Sequence, residues 1–285
     1  MFSYRHAFHA GNHADVLKHA IVVQLLEQLT QKDKPFWYID THAGAGLYAL
    51  DHAYAQKKGE FETGIARLWQ AAAAKRPMPT VLEDYLEQVR TLNPDGSLRH
   101  YPGSPWLAWQ MLRDADRLRL FEMHPTEIQV LRDNFRGAGR RVMLYDGDGF
   151  TGINAILPPP PRRALVLVDP SYEDKQDYAR VVRTLQDGLQ RFATGIYAIW
   201  YPEVQRRESV QLPVQLKKLP LKSWLHVTLT VKQPVAGGLG LHGSGMFIVN
   251  PPWRLKENLE AAMPTLVSLL GQDAGAGFTL EARED

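Results

Sequence analysis

The feature that most limits what this chain can fold into is the regular return of short apolar strands between amphipathic helices. Runs with strand character fall at Phe36–Ile39, Leu118–Phe121, Arg141–Tyr145, Ala164–Val168, Gly195–Tyr201, Trp224–Val231 and Gly245–Val249. Apolar residues at helical spacing separate most of them, at Thr126–Phe135, Tyr178–Phe192 and Arg207–Lys218. This alternation predicts a mostly parallel sheet covered by helices on both faces. The last two strands are joined by the glycine-rich Lys232–His242, which has no helical pattern, so a hairpin and one antiparallel edge are expected. The expected fold is therefore a seven-stranded, doubly wound α/β sheet.

Two stretches stand outside the alternation. Asn12 can cap a helix running to about Thr30, where Lys32-Asp33-Lys34-Pro35 breaks it. Between Leu47 and His100 the pattern is helical with no strand signal. The expected division is thus residues 1–46 and 101–285 as the main domain, with 47–100 as a helical insertion between strands one and two. Ser104-Pro105 reads as a helix start with Ser at the N-cap. Composition only narrows the class. The chain has 285 residues, 45% of them hydrophobic, no cysteine, and a formal net charge of +2. That is ample for a core, excludes disulfides and thiolate chemistry, and permits a polyanionic partner without demanding one. No apolar run reaches the ~20 residues of a membrane span and the first residues lack a signal-peptide pattern, so a soluble cytoplasmic protein is expected.

In such sheets ligands bind at the C-terminal ends of the strands. Gly44 and Gly46 follow the first strand and let the backbone turn closely around a nucleoside. Glu122 ends the second strand, where a carboxylate can accept from both ribose hydroxyls; the insertion explains its distance from the glycines. Asp148, opening the Asp148-Gly149-Phe150 run after the third strand, is placed to accept from an adenine amino group, with Phe150 against the ring. Together they describe a site for adenosine with a non-phosphorylated tail, as in S-adenosyl-L-methionine. NAD stays open as an alternative, although Ala49 replaces the third glycine of its phosphate loop. No Walker A pattern is present.

The fourth strand runs into Asp169-Pro170-Ser171-Tyr172, which is similar to the Asn/Asp-Pro-Pro-aromatic motif of methyltransferases acting on exocyclic amines, with Ser171 for the second proline. The lone pair of an adenine N6 is delocalised into its ring, so the amine is a poor nucleophile. Asp169 and the Pro170 carbonyl can each accept one N6 hydrogen and align it for transfer, and Tyr172 can stack on the base. A second copy, Asn250-Pro251-Pro252-Trp253, matches the motif better by letter but follows the last strand. Topology assigns it a structural role.

Asp40-Thr41-His42-Ala43-Gly44-Ala45-Gly46, Tyr101-Pro102-Gly103-Ser104-Pro105, Glu122-Met123-His124-Pro125 and Asp169-Pro170-Ser171-Tyr172-Glu173 occur in that order, behind an opening Tyr4-Arg5-His6-x-Phe8-His9-Ala10-Gly11-Asn12-His13-Ala14-Asp15-Val16-x-Lys18-His19. This set resembles the bacterial RlmJ family of 23S rRNA adenine-N6 methyltransferases over nearly the full chain. The resemblance implies a class I S-adenosylmethionine-dependent methyltransferase fold with a helical insertion, and a monomer. It implies cofactor contacts at His19, His42, Ser104, Glu122, Asp148 and Gly149, a catalytic acid at Asp169, and a substrate-side tyrosine at Tyr4. Ser171 is the one clear departure.

The residues themselves support these unequally. His42 lies in the glycine loop, whereas nothing in the position of His19 points it at a cofactor. Tyr4, Arg5, His6 and Lys18 can form a mobile leader that grips phosphate and covers the base. A metal site from His6, His9 and His13 is not expected. The leading reading is methyl transfer to an adenine N6 of 23S rRNA, free or in an early assembly particle. The alternatives are adenine-N6 methylation of DNA, an NAD-linked oxidoreductase, and a silent RNA-binding protein on the same fold.

Overall fold

A computed structural model describes residues 6–51, 59–235, 237–238 and 240–284. Tyr4 and Arg5 lie outside the described residues. The first long element is α1 (His13–Thr30), started by Asn12 as expected: its side-chain oxygen accepts from the amides of Ala14 and Asp15, each at 3.0 Å. The apolar periodicity of α1 does not foretell how deeply it sits. Nearly every residue is buried, including His13, Asp15, Lys18 and His19, because the sheet lies on one side and other helices on the other.

The sheet has eight strands rather than seven, in the order β10-β8-β9-β7-β6-β1-β4-β5. β1 (Trp37–Asp40), β4 (Arg117–Glu122), β5 (Val142–Asp146), β6 (Ala164–Val168) and β7 (Ile196–Glu203) run parallel. β9 (Gly243–Val249) lies antiparallel between β7 and β8 (Trp224–Thr230), which is the expected hairpin. The additional strand, β10 (Gly277–Arg283), pairs antiparallel with β8. It is a mostly solvent-facing edge, and such a strand needs little of the apolar content that a sequence pattern detects.

Strand residues alternate between two cores. Tyr38, Leu165, Leu167 and Ala198 face α1, α3 (Thr80–Arg90), α4 (Ser104–Met111), α5 (Pro125–Asn134) and α9 (Leu255–Leu270). Ile39, Val166, Val168 and Ile199 face α6 (Gly149–Ile156), α7 (Gln176–Arg191) and α8 (Arg207–Lys217).

The stretch after Gly46 does leave the sheet between β1 and β4. It begins and ends on a small antiparallel pair, β2 (Leu47–Ala49) with β3 (His100–Pro102), where no strand was expected; three residues are too few to show a period of two. α2 (Ile65–Ala73) and α3 lie between them. Ile65, Leu68, Leu82, Tyr85 and Leu86 join Leu17, Ile21 and Leu25 of α1 in one core, so residues 47–100 close no core of their own. The Gly103 amide donates to the Gly46 carbonyl at 2.9 Å, so the chain returns to the point it left and resumes the β1–α4–β4 unit. The N-cap of α4 is Gly103, not Ser104; Ser104 is its first residue and its hydroxyl points elsewhere.

Candidate active site

The ends of β1, β4, β5 and β6 bring the expected loops together. Buried Asp40 organises the first: its carboxylate accepts from the Tyr38 hydroxyl at 2.9 Å, the Ser104 hydroxyl at 2.7 Å and the His42 amide at 3.1 Å. Burial raises its pKa. Gly44 and Gly46 have φ of +61° and +79°, a region L residues rarely adopt, and a Cβ on Gly44 would stand 2.5 Å from the Tyr48 hydroxyl oxygen. The Gly44 amide donates to Glu122 Oε2 at 2.8 Å and the His124 amide to Oε1 at 2.6 Å. Glu122 is thereby aimed across the glycine loop, and each oxygen keeps lone-pair capacity for a further donor. Burial raises its pKa as well.

The third loop is more structural than its letters suggest. Asp148 caps α6 through the Phe150 amide at 3.1 Å, and its Oδ2 accepts from Arg180 at 2.6 Å. The Arg180 guanidinium lies 4.2 Å from the Phe150 ring centroid, and the His42 ring meets the same phenyl edge-on at 4.6 Å. Burial, then the nearby Arg180, lower the pKa of His42 to about 3, so it is neutral. Phe150 itself is buried in this stack rather than open to a ligand. A Cβ on Gly149 would come within 2.0 Å of the Thr41 carbonyl oxygen, so glycine is required where these loops touch.

Asp169 follows directly on β6 with its side chain 13% exposed, and its Oδ2 accepts from Lys18 Nζ at 2.6 Å. Its Oδ1 and the Pro170 carbonyl have no hydrogen-bond partner among the described residues. Burial pushes the Asp169 pKa up to about 6 even with Lys18 beside it. For Lys18 burial acts downward, but Asp15 at 2.9 Å and Asp169 together outweigh it and raise its pKa. Lys18 is therefore a buried counter-ion on α1 and not a phosphate-gripping residue of a leader. His6 is likewise engaged inward: its Nε2 is 2.8 Å from Asp15 Oδ2, within a short 3-10 turn packed on α1.

Tyr172 also departs from its expected stacking role. Its φ is +54° and it is 2% exposed. Its hydroxyl donates to the Trp200 carbonyl at 2.7 Å and its ring centroid is 4.5 Å from that of Tyr178. The left-handed backbone turns the side chain into the core, and Arg206 holds the loop by donating to the Tyr172 carbonyl at 3.1 Å. His19 is fully buried, with Nδ1 2.7 Å from the Tyr101 hydroxyl, and burial lowers its pKa to about 3. Asp15, Asp40 and Arg180 are the organising residues that the motif reading did not single out. The i, i+3, i+4 spacing of Asp15, Lys18 and His19 was the available signal for the first.

Asn250 lies at the opposite end of the molecule. Because β9 is antiparallel to β7, Val249 pairs with Tyr197 at the start of that strand. Asn250 donates to the carbonyls of Ala193 at 2.8 Å and Gly195 at 2.7 Å, a clamp between loops, as the topology argument expected. Among the described residues no group of three or more His, Asp or Glu side chains is arranged to hold a metal ion, and no helix is long and apolar enough to cross a membrane.

A parallel sheet whose last inserted strand is antiparallel, a glycine loop facing a strand-end carboxylate, and an Asp-Pro loop after β6 define the class I methyltransferase architecture. A family model described as "Ribosomal RNA large subunit methyltransferase D, RlmJ" matches residues 33–281. The "Ribosomal RNA large subunit methyltransferase J" of Escherichia coli (strain K12) is 45% identical over 277 residues, spanning 97% of this chain and 96% of that protein. Its counterpart of the same name in Haemophilus influenzae is 41% identical over 282 residues, with 99% and 98% covered. A crystal structure of a Legionella pneumophila protein, 33% identical, superposes with a TM-score of 0.86 over 97% of this chain and 98% of that one. The chain belongs to the RlmJ family.

Proposed function

We propose that the protein transfers a methyl group from S-adenosyl-L-methionine to the exocyclic N6 of an adenine in 23S ribosomal RNA, acting as a monomer. The observation that carries this reading is Asp169: a partly exposed carboxylate at the end of β6, with one oxygen held by buried Lys18 and the other open. The cradle of Gly44 and Gly46, with Glu122 across it and Asp148 at its side, fits a nucleoside, and His19, His42, Ser104 and Gly149 support it from behind. When bound, the cofactor supplies an electrophilic sulfonium methyl. Asp169 Oδ1 and the Pro170 carbonyl accept the two N6 hydrogens, orienting the nitrogen lone pair toward that methyl. As the N–C bond forms and the C–S bond breaks, the Asp169 carboxylate stabilises the positive charge on nitrogen and then receives its proton. Lys18 keeps Asp169 ionised and fixed. Tyr172 acts by bracing the loop; Tyr4 is assigned to the substrate by the family resemblance and Arg5 by its charge, while His6, paired with Asp15, serves the packing of α1 instead.

The names carried by the relatives support ribosomal RNA over DNA. An NAD-linked reaction is disfavoured by Asp40, a buried carboxylate beside the first turn of α4, where a dinucleotide fold receives pyrophosphate. Labelled S-adenosylmethionine incubated with protein-free 23S and 16S rRNA from cells lacking this gene tests the reading. N6-methyladenosine in 23S alone is expected. Label on another base, or on 16S, would overturn it.

A further inference from the structure

The four neighbouring parallel strands β6, β1, β4 and β5 all begin at the edge of the sheet opposite the active site, and each has two cations before or at its first residue. Lys32 and Lys34 precede β1; Arg162 and Arg163 precede β6; Arg140 and Arg141 precede β5; Arg113 stands before β4 and Arg117 opens it. These loops contain three carboxylates, Asp33, Asp114 and Asp116, while the rest of the chain has more carboxylates than cations. The loops interlock: Arg113 donates to the carbonyls of Lys32 at 2.6 Å and Lys34 at 3.1 Å, Arg163 donates to that of Leu29 at 2.9 Å, and Arg141 lies 3.5 Å from Asp114. Asp116 is used up by Arg113 at 2.8 Å. Lys32, Lys34, Arg140 and Arg162 are exposed and make no ion pair among the described residues.

Even with Arg113 and Arg141 paired to Asp116 and Asp114, this edge keeps an excess of positive charge, which repels itself unless something neutralises it. Adjacent strands are about 4.8 Å apart, so the row spans roughly 14 Å, over which a duplex presents several phosphates. The cations without an ion pair among the described residues, Lys32 and Lys34 with the guanidinium groups of Arg140 and Arg162, stand on rigid strand starts and suit a row of phosphates along a nucleic-acid backbone over a single small anion.

We infer that this edge is a second RNA-binding surface, which holds the phosphate backbone of a long RNA substrate away from the target adenine. The inference rests on the RNA reading of the active site and extends it to the far side of the sheet. A strand of five residues is only about 17 Å long, so an RNA of ordinary length reaches both edges, whereas an oligonucleotide of four residues, roughly 14 Å long at about 3.4 Å per nucleotide, does not when bound at Asp169.

The test is binding of protein-free 23S rRNA, by filter retention, and of a four-nucleotide adenine-containing RNA, by equilibrium dialysis, at several salt concentrations. The quadruple variant K32E/K34E/R140E/R162E is compared with a control of equal charge change, K75E/R76E/R90E/R183E, all eight residues being exposed. The edge variant is expected to bind 23S rRNA about tenfold or more weakly at 0.1 M salt, with a log–log salt slope shallower by about three. Its binding of the four-nucleotide RNA should be unchanged, and the control should bind both RNAs as the wild type does. Unchanged 23S binding in the edge variant, or an equal loss in both variants, overturns the proposal. The double variants K32E/K34E and R140E/R162E, with unfolding midpoints measured alongside, guard against a folding defect. Because binding is read without methyl transfer, failure of the adenine-N6 reaction would leave this result standing, and the converse also holds.

Discussion

At the scale of single residues, the Lys18–Asp169 pair decides how the reaction responds to pH. In the proposed reaction Asp169 acts as a carboxylate, and burial places its pKa at about 6. Activity is therefore retained above that value and lost as pH falls through it, so kcat/KM should show an acid limb near 6. Replacing Lys18 with Met removes the charge that holds this pKa down, so the limb should move to higher pH along with a loss of rate. A limb unmoved by K18M would contradict the pairing. Asp169→Asn should lower kcat by a factor on the order of 10³ while cofactor affinity, read by calorimetry, stays within about twofold. Arg180 acts differently, through Asp148 and Phe150. Arg180→Ala should weaken cofactor binding roughly tenfold with kcat little changed, because the guanidinium holds Asp148 and Phe150 on the proposed adenosine side of the site and pairs with Asp148 rather than with Asp169. A proportionate fall in kcat would instead place Arg180 in the transfer step. That Asp169, Glu122 and the two glycines meet at one edge of the sheet could be read from the letters, because it follows from residue type and strand position. Lys18 and Tyr172 could not, because the direction of a side chain depends on helix phase and on the sign of φ.

At the scale of elements, the two Pro-containing loops separate spelling from position. Asp169-Pro170-Ser171-Tyr172 follows a parallel strand and so opens on the active edge. Asn250-Pro251-Pro252-Trp253 follows an antiparallel strand and so opens on the other. Asn250→Ala should destabilise the protein by about 1–3 kcal/mol through two lost hydrogen bonds, seen as a lower unfolding midpoint, with kcat of the folded fraction unaltered. A catalytic defect without a stability defect would reverse the assignment of the two loops. The glycine positions depend on tertiary contact in the same way. Gly149→Ala should cost cofactor affinity, since a methyl group 2.0 Å from the Thr41 carbonyl oxygen must push the α6 loop off the β1 loop. β10 and the β2–β3 pair escaped the sequence pattern because an exposed edge strand and three-residue strands carry too little periodicity.

At the scale of the whole molecule, α1 joins what the sequence divides. Residues 47–100 read as a separate helical piece, yet Leu82, Tyr85 and Leu86 pack into the same core as Leu17, Ile21 and Leu25. Calorimetry and tryptophan fluorescence should report one coincident unfolding transition, and a chain lacking residues 47–100 should not fold cooperatively because it uncovers α1. Two resolved transitions would show the insertion to be an independent domain. The sequence alone determined the α/β class, the parallel sheet with an antiparallel hairpin, and the loops that meet at the strand ends, with Asp169 among them. These follow from apolar period and from the chemistry of residue types, both of which are local. Only the tertiary structure decided that Lys18 lies under Asp169, that Tyr172 faces inward, and that eight cations from four distant loops line one edge. Those depend on which strands become neighbours and which way each runs, and no local pattern contains that information.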